Sequence, residues 1–143
     1  MKPVKIHMRS ETKNENGVQT TEHNYRGSMT EKNGKNYVFY EENAESGLEG
    51  TKTTLKWDDE RVIILRNGVL DHRQEFCRNY IDKSIYVTPY LKIPLETNTS
   101  YLYTYFRNGI WYLEIEYTLA HDGQFYGEMK ILIEIEEDLI SGH

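Results

Sequence analysis

Five short turn signals spread along 143 residues constrain the fold of this chain more than any other feature. Asn-Gly occurs at Asn16-Gly17, Asn33-Gly34, Asn67-Gly68 and Asn108-Gly109, and Asp122-Gly123 adds a fifth. Such dipeptides favour hairpin turns because both positions tolerate positive φ. Between them run segments that alternate apolar and polar residues, the period of a half-buried strand. None has the length and 3.6-residue period of a crossover helix. Composition points the same way: there are only two alanines, Ala44 and Ala120, against 12 each of Tyr, Ile and Thr, which are strand-forming residues. The chain therefore reads as an antiparallel meander of nine or ten strands.

A meander that long has two exposed edges unless it closes, and unpaired edges invite aggregation. The expected fold is all-β, a single up-and-down meander closed into a barrel. One domain is expected over residues 1–140, large enough to bury roughly 70% of its unfolded surface without staples. Residues 141–143 are expected to be a disordered tail or a tag remnant, so His143 receives no functional weight. Glu41 to Gly50, with four glutamates, two glycines and no base, reads as an irregular loop. Cys77 to Thr99 is the least legible stretch, because Pro89 and Pro94 each remove a ladder donor.

Two-residue turns fix registers, and registers fix faces. Pairing about Asn16-Gly17 opposes Met8 to Tyr25, Ile6 to Gly27 and Val4 to Met29, with Lys5, His7, Arg9 and Lys13 on the other face. Pairing about Asn33-Gly34 opposes Met29 to Val38 and Gly27 to Tyr40. About Asn67-Gly68 it opposes Leu65 to Leu70 and Ile63 to His72, and about Asn108-Gly109 Phe106 to Trp111, Thr104 to Leu113 and Leu102 to Ile115. A two-residue turn at Asp122-Gly123 would oppose Ile115 to Lys130. A three-residue loop, His121 to Gly123, opposes it to Met129 instead and is the expected turn.

Charge narrows the function classes. Against 17 Lys plus Arg stand 23 Asp plus Glu, a net of −6, and no basic cluster is available for phosphate contacts, so a nucleic-acid partner is not expected. No membrane-spanning run of about 20 apolar residues and no apolar leader with a cleavage site is present. Cys77 has no partner for an intrachain disulfide. A soluble, cytoplasmic protein is the expectation.

Catalytic and metal motifs are missing. There is no HxH, HExxH or cysteine pair, and His7 and His23 fall on opposite sheet faces, so no metal site and no cofactor are expected. Asp71-His72-Arg73 resembles a catalytic cluster on paper, but neighbours in a strand point to opposite faces, so Asp71 cannot orient His72. Glu116 and Glu128 oppose each other in the expected register but face outward, where no cleft for paired carboxylates is implied. Neither GxSxG, a P-loop nor a dinucleotide fingerprint occurs. Catalysis by interior polar residues such as His23 and His72 is the weakest of three readings.

The first reading is a ligand in the barrel interior. The inner face of the first hairpin grades from Val4, Ile6 and Met8 to Ser10 and Thr12, opposite Thr21 and His23. Apolar walls with a few placed polar groups are how small-ligand sites are built. The walls would be Tyr25, Tyr40, Leu102 and Trp111, with His72 an inward polar residue, and the occupant a small, mainly apolar ligand or metabolite. Ordinary fraying of strand ends past the core would give the same pattern. The second reading is a protein partner docked on Tyr101, Tyr103 and Tyr105, which share the outer face against Glu116, Glu114 and Tyr112. Residues 110 to 138 hold eight acids and one base, Lys130, for a net of −7, which opposes base stacking there. Tyrosine ladders are also ordinary cross-strand stabilisers on a solvated face.

Gly50-Thr51-Lys52-Thr53-Thr54-Leu55-Lys56 entering a strand, Arg66-Asn67-Gly68 at a hairpin, Val87-Thr88-Pro89-Tyr90, and Tyr117 in the penultimate strand give the chain its resemblance to the YwiB-like family of small bacterial proteins. Leu91 stands where that motif has glycine. The resemblance spans nearly the whole chain and implies a calycin-type, lipocalin-like β-barrel. It supplies no catalytic residues.

Overall fold

A computed structural model describes residues 1–139 as one ten-stranded antiparallel sheet; the expected tail at 141–143 lies outside the described residues. The strands are β1 (Lys2–Asn14), β2 (Gly17–Lys32), β3 (Lys35–Glu41), β4 (Lys52–Trp57), β5 (Arg61–Asn67), β6 (His72–Cys77), β7 (Ile81–Val87), β8 (Lys92–Arg107), β9 (Ile110–His121) and β10 (Gln124–Glu137). One short 3₁₀ turn, Ala44–Ser46, lies in the loop between β3 and β4. Among the described residues no helix is long and apolar enough to cross a membrane.

The strand order is β6-β5-β4-β3-β2-β1-β10-β9-β8-β7. First and last strands therefore close the meander, pairing from Val4↔Glu137 to Lys13↔Glu128. The opposite seam lies between β6 and β7 and makes the barrel nearly rather than fully closed. One backbone bridge spans it, Asp71↔Val87, and side chains carry the rest. The Asp82 carboxylate accepts from the Glu75 backbone N–H (3.1 Å), Gln74 donates to Thr97 Oγ1 (2.9 Å), and His72 Nε2 lies 2.8 Å from Ser84 Oγ.

Alternation along each strand sends one side-chain set inward, as the period of two requires. Val4, Ile6, Val38, Leu55, Trp57, Ile64, Phe76, Leu102, Leu113, Ile115, Ile133 and Ile135 are sealed from solvent and form a continuous core. Strands β3 to β7 have six or seven residues each and the other five have 12 to 16. The barrel thus has a short wall and a long wall that overhangs it.

The Asn33-Gly34 and Asn108-Gly109 hairpins pair as expected, with φ of 55° and 77°, and of 52° and 81°, at the two turn positions. Three other registers differ. In the first hairpin Asn14 pairs with Gly17, so Ile6 faces Tyr25, Val4 faces Gly27 and Met8 faces His23, two residues from the expected pairing on the same face. The cause is local: Asn14 Oδ1 accepts from the Asn16 N–H at 2.9 Å, which centres the turn on Glu15-Asn16. At Asn67-Gly68 the loop is longer, because Asp71 Oδ1 accepts from the Gly68 N–H. His72 then faces Arg66 rather than Ile63, and Val62 and Ile64, not Ile63 and Leu65, point inward. Asp122-Gly123 does make the two-residue turn, and a bulge between Phe125 and Gly127 restores the apolar register, Ile115 to Ile131 and Tyr117 to Met129. Glu116 accordingly faces Lys130, and Glu128 faces Thr118.

Candidate functional site

Glu42 stands two residues beyond Tyr40, one more inward position on the line of Asn36, Val38 and Tyr40. Its backbone N–H bonds Thr51 O at 2.8 Å, which closes the base of the β3–β4 loop and holds the side chain inside. The carboxylate, 2% exposed, accepts from Tyr25 Oη at 2.9 Å and from Thr53 Oγ1 at 2.5 Å. Arg66, the last inward residue of β5, brings its Nε to 3.8 Å from the same carboxylate, an ion pair too long for a hydrogen bond. Tyr25 and Tyr40 stack beside it with ring centroids 4.3 Å apart. The result is a polar layer across one end of an otherwise apolar interior.

Burial and charge tune this layer. Desolvation first, and the Glu42 charge second, push the Tyr25 and Tyr40 phenols far above their ordinary range. Burial raises Tyr117 to about 12, partly opposed by Arg66. Burial, then Arg66, lowers His72 to about 4. All three phenols are therefore neutral hydroxyls at physiological pH, and His72 is a neutral imidazole. Buried polar atoms without a hydrogen-bond partner include Tyr40 Oη and Arg66 Nε in the layer, Thr51 Oγ1 at the base of the loop that carries Glu42, and Thr99 Oγ1 on β8 opposite Tyr117. Nearby, His23 Nδ1 is likewise buried and unpartnered, with its ring 6.2 Å from that of Tyr25.

Of the residues the sequence singled out, Tyr25, Tyr40 and His72 come together in or beside this layer. Ser10 and Thr21 bond each other (2.7 Å) on the overhang, where Thr21 is exposed and Thr12 half-buried. Leu102 belongs to the apolar core. Trp111 packs edge-on against Trp57 at 5.6 Å and borders the Met29, Asn36 and Phe106 end. Glu42, Thr53, Arg66, Thr99 and Tyr117 were not anticipated as site residues. Arg66 was hidden by the wrong register at Asn67-Gly68, whereas Glu42 could have been found by extending the alternation of β3 two residues into its loop. No group of three or more His, Cys, Asp or Glu side chains among the described residues is arranged to hold a metal ion.

On the outer face Tyr101 and Tyr103 are 41% and 54% exposed. Tyr105 stacks on Tyr112 with centroids 4.9 Å apart, and hydrogen bonding to the Glu114 carboxylate raises its phenol to about 12. A groove of about 390 Å³ runs between Tyr101, Tyr105 and Tyr112 on one side and Lys130 and Arg9 on the other.

Residues 6–133 match the family model described as Domain of unknown function (DUF1934). The chain belongs to the DUF1934 family. The crystal structure of the ywiB protein from Bacillus subtilis superposes with a TM-score of 0.83 at 20% identity, covering 96% of this chain and 92% of that one, a likeness of fold. No curated protein matches the chain significantly. Within this DUF1934 barrel, three residues from the stretches that carried the family resemblance, Thr53, Arg66 and Tyr117, lie in or around the polar layer. The stretches also touch: Gly68 packs on Gly50 and Thr51 so closely that a Cβ there would lie 2.4 Å from Gly50 O.

Proposed function

We propose that this DUF1934 protein is a non-enzymatic, calycin-like barrel that binds a small, mainly apolar molecule in its interior, polar end against the Arg66 layer. One observation carries the reading: Tyr40 Oη, Arg66 Nε and Thr99 Oγ1 are buried without hydrogen-bond partners. Buried polar groups are nearly always hydrogen-bonded, so atoms lacking such a bond favour a ligand or ordered water that completes the set. Catalysis is less well supported. His72 lies within hydrogen-bond reach of Ser84, but an imidazole lowered to about 4 is a weak general base near neutral pH. The inward acid of β7, Asp82, bonds the Glu75 backbone rather than that histidine.

A screen of small neutral apolar molecules by melting temperature tests the reading, since a ligand that binds only the folded state raises it. His23→Leu, which removes an unpartnered buried nitrogen, should preserve the free protein's stability and weaken the shift. A screen without any shift, on an interior that takes up no probe, would overturn it.

A second reading rests on the exposed outer tyrosines. Aromatic faces beside carboxylates attract cations, so the partner this face fits is a Lys- or Arg-bearing protein segment. Replacing Tyr101, Tyr103 and Tyr105 by Thr should abolish binding of an arginine-rich peptide if that reading holds, and leave it unchanged if only net charge attracts it.

A further inference from the structure

Charge and hydrogen-bond capacity in the polar layer together restrict what can enter it. Both Glu42 oxygens already accept from hydroxyls, Tyr25 on one and Thr53 on the other. The unspent atoms are of a different kind: a guanidinium N–H that can only donate and two hydroxyls, those of Tyr40 and Thr99. The layer thus has donors to offer. Glu42 also sets its charge, since one carboxylate beside one guanidinium leaves no net charge. An entering anion would satisfy the donors but leave an uncompensated negative charge in a water-poor interior, which is costly. An entering cation would meet the Arg66 guanidinium at close range and leave its N–H unsatisfied. A neutral acceptor oxygen satisfies the donors without either penalty.

Resting on the interior-binding reading, we propose that Glu42 determines specificity: by neutralising Arg66 it makes the layer select an uncharged molecule bearing one hydrogen-bond-accepting oxygen, a ketone, ester or amide, over the carboxylate of the same shape. Tyr40 and Thr99 supply the remaining hydrogen bonds. Glu42 acts here through Arg66 and makes no contact with the ligand.

Three probes of similar size separate the possibilities: acetophenone (neutral, accepting), benzoate (anionic) and cumene (no acceptor). Their affinities are measured by calorimetry or NMR titration at neutral pH. In the wild type acetophenone should bind at least about tenfold more tightly than benzoate, a factor equivalent to one charge-discriminating interaction, and more tightly than cumene. In Glu42→Gln the preference between acetophenone and benzoate should invert, because Arg66 is left unbalanced. Tyr40→Phe removes one buried hydroxyl at nearly constant shape and should shrink the advantage of acetophenone over cumene; it provides the test if Glu42→Gln does not fold. Benzoate binding as tightly as acetophenone in the wild type, an unchanged ratio in Glu42→Gln, or an unchanged cumene ratio in Tyr40→Phe would overturn the specificity role while leaving interior binding intact. If no probe binds wild type or variants, interior binding fails and this inference fails with it.

Discussion

Gly27 lies where β2 presses closest to β3. A Cβ on it would stand 2.2 Å from Phe39 O and 3.0 Å from Tyr40 Cβ, and the first of these is backbone that cannot step aside. At Gly127 the tightest neighbour, Lys13 O, is 3.2 Å away. Gly27→Ala is therefore expected to cost about 1–3 kcal/mol by overpacking and Gly127→Ala clearly less, compared by urea midpoints. His72 gives a pH signature. Its folded-state value of about 4 lies below the ordinary histidine value of 6.5, so the unfolded chain takes up the proton first. Stability from this group is complete above pH 6.5 and is lost as pH falls toward 4. His72→Gln should flatten the decline between pH 6.5 and 5, a window above most carboxylate titration, and a decline of unchanged slope would show that His72 does not contribute.

Turns and seams behave differently as elements. Asn33-Gly34 and Asn108-Gly109 were legible because both residues take positive φ and nothing nearby competes. The first hairpin and Asn67-Gly68 were misread in register because Asn14 and Asp71 side chains capture backbone N–H groups and recentre the turns, a competition that Asx residues commonly win. The two-residue shift left the inner face intact; the odd shift at Asn67-Gly68 turned β5 over and concealed Arg66. The bulge at Phe125/Gly127 was invisible because it restores long-range apolar pairing rather than obeying a local rule. The seam between β6 and β7 was likewise illegible, since side chains from β6, β7 and β8 hold it. Asp82→Ala should leave the buried Glu75 N–H unpaired at a cost of about 1–3 kcal/mol. Amide exchange should then quicken in β6 and β7 while β1 and β10 stay protected; uniform acceleration would show that the seam is not a separate weak point.

At the scale of the whole molecule, buried phenols tie stability to alkaline pH. Tyr25, Tyr40 and Tyr117 are all held above the ordinary value of 10. Their contribution is complete below pH 10 and is lost as pH rises toward their folded values. The melting temperature should fall above pH 10, and Tyr117→Phe should reduce the loss between pH 10 and 12.

Closure has a consequence for how the chain comes into being. A ten-pair junction joins the first strand to the last, β1 to β10, with Asp138 N–H bonded to Pro3 O at 2.9 Å, while the weakest junction, between β6 and β7, lies mid-chain. During synthesis β1 must therefore keep one edge bare until the last strand leaves the ribosome, and the most distant pairing in sequence is also the last that can form. A circularly permuted chain, its old ends linked and new ends opened in the Arg78–Tyr80 turn, would reverse this: the firm junction becomes a local hairpin, and the termini fall at the seam the barrel already leaves open.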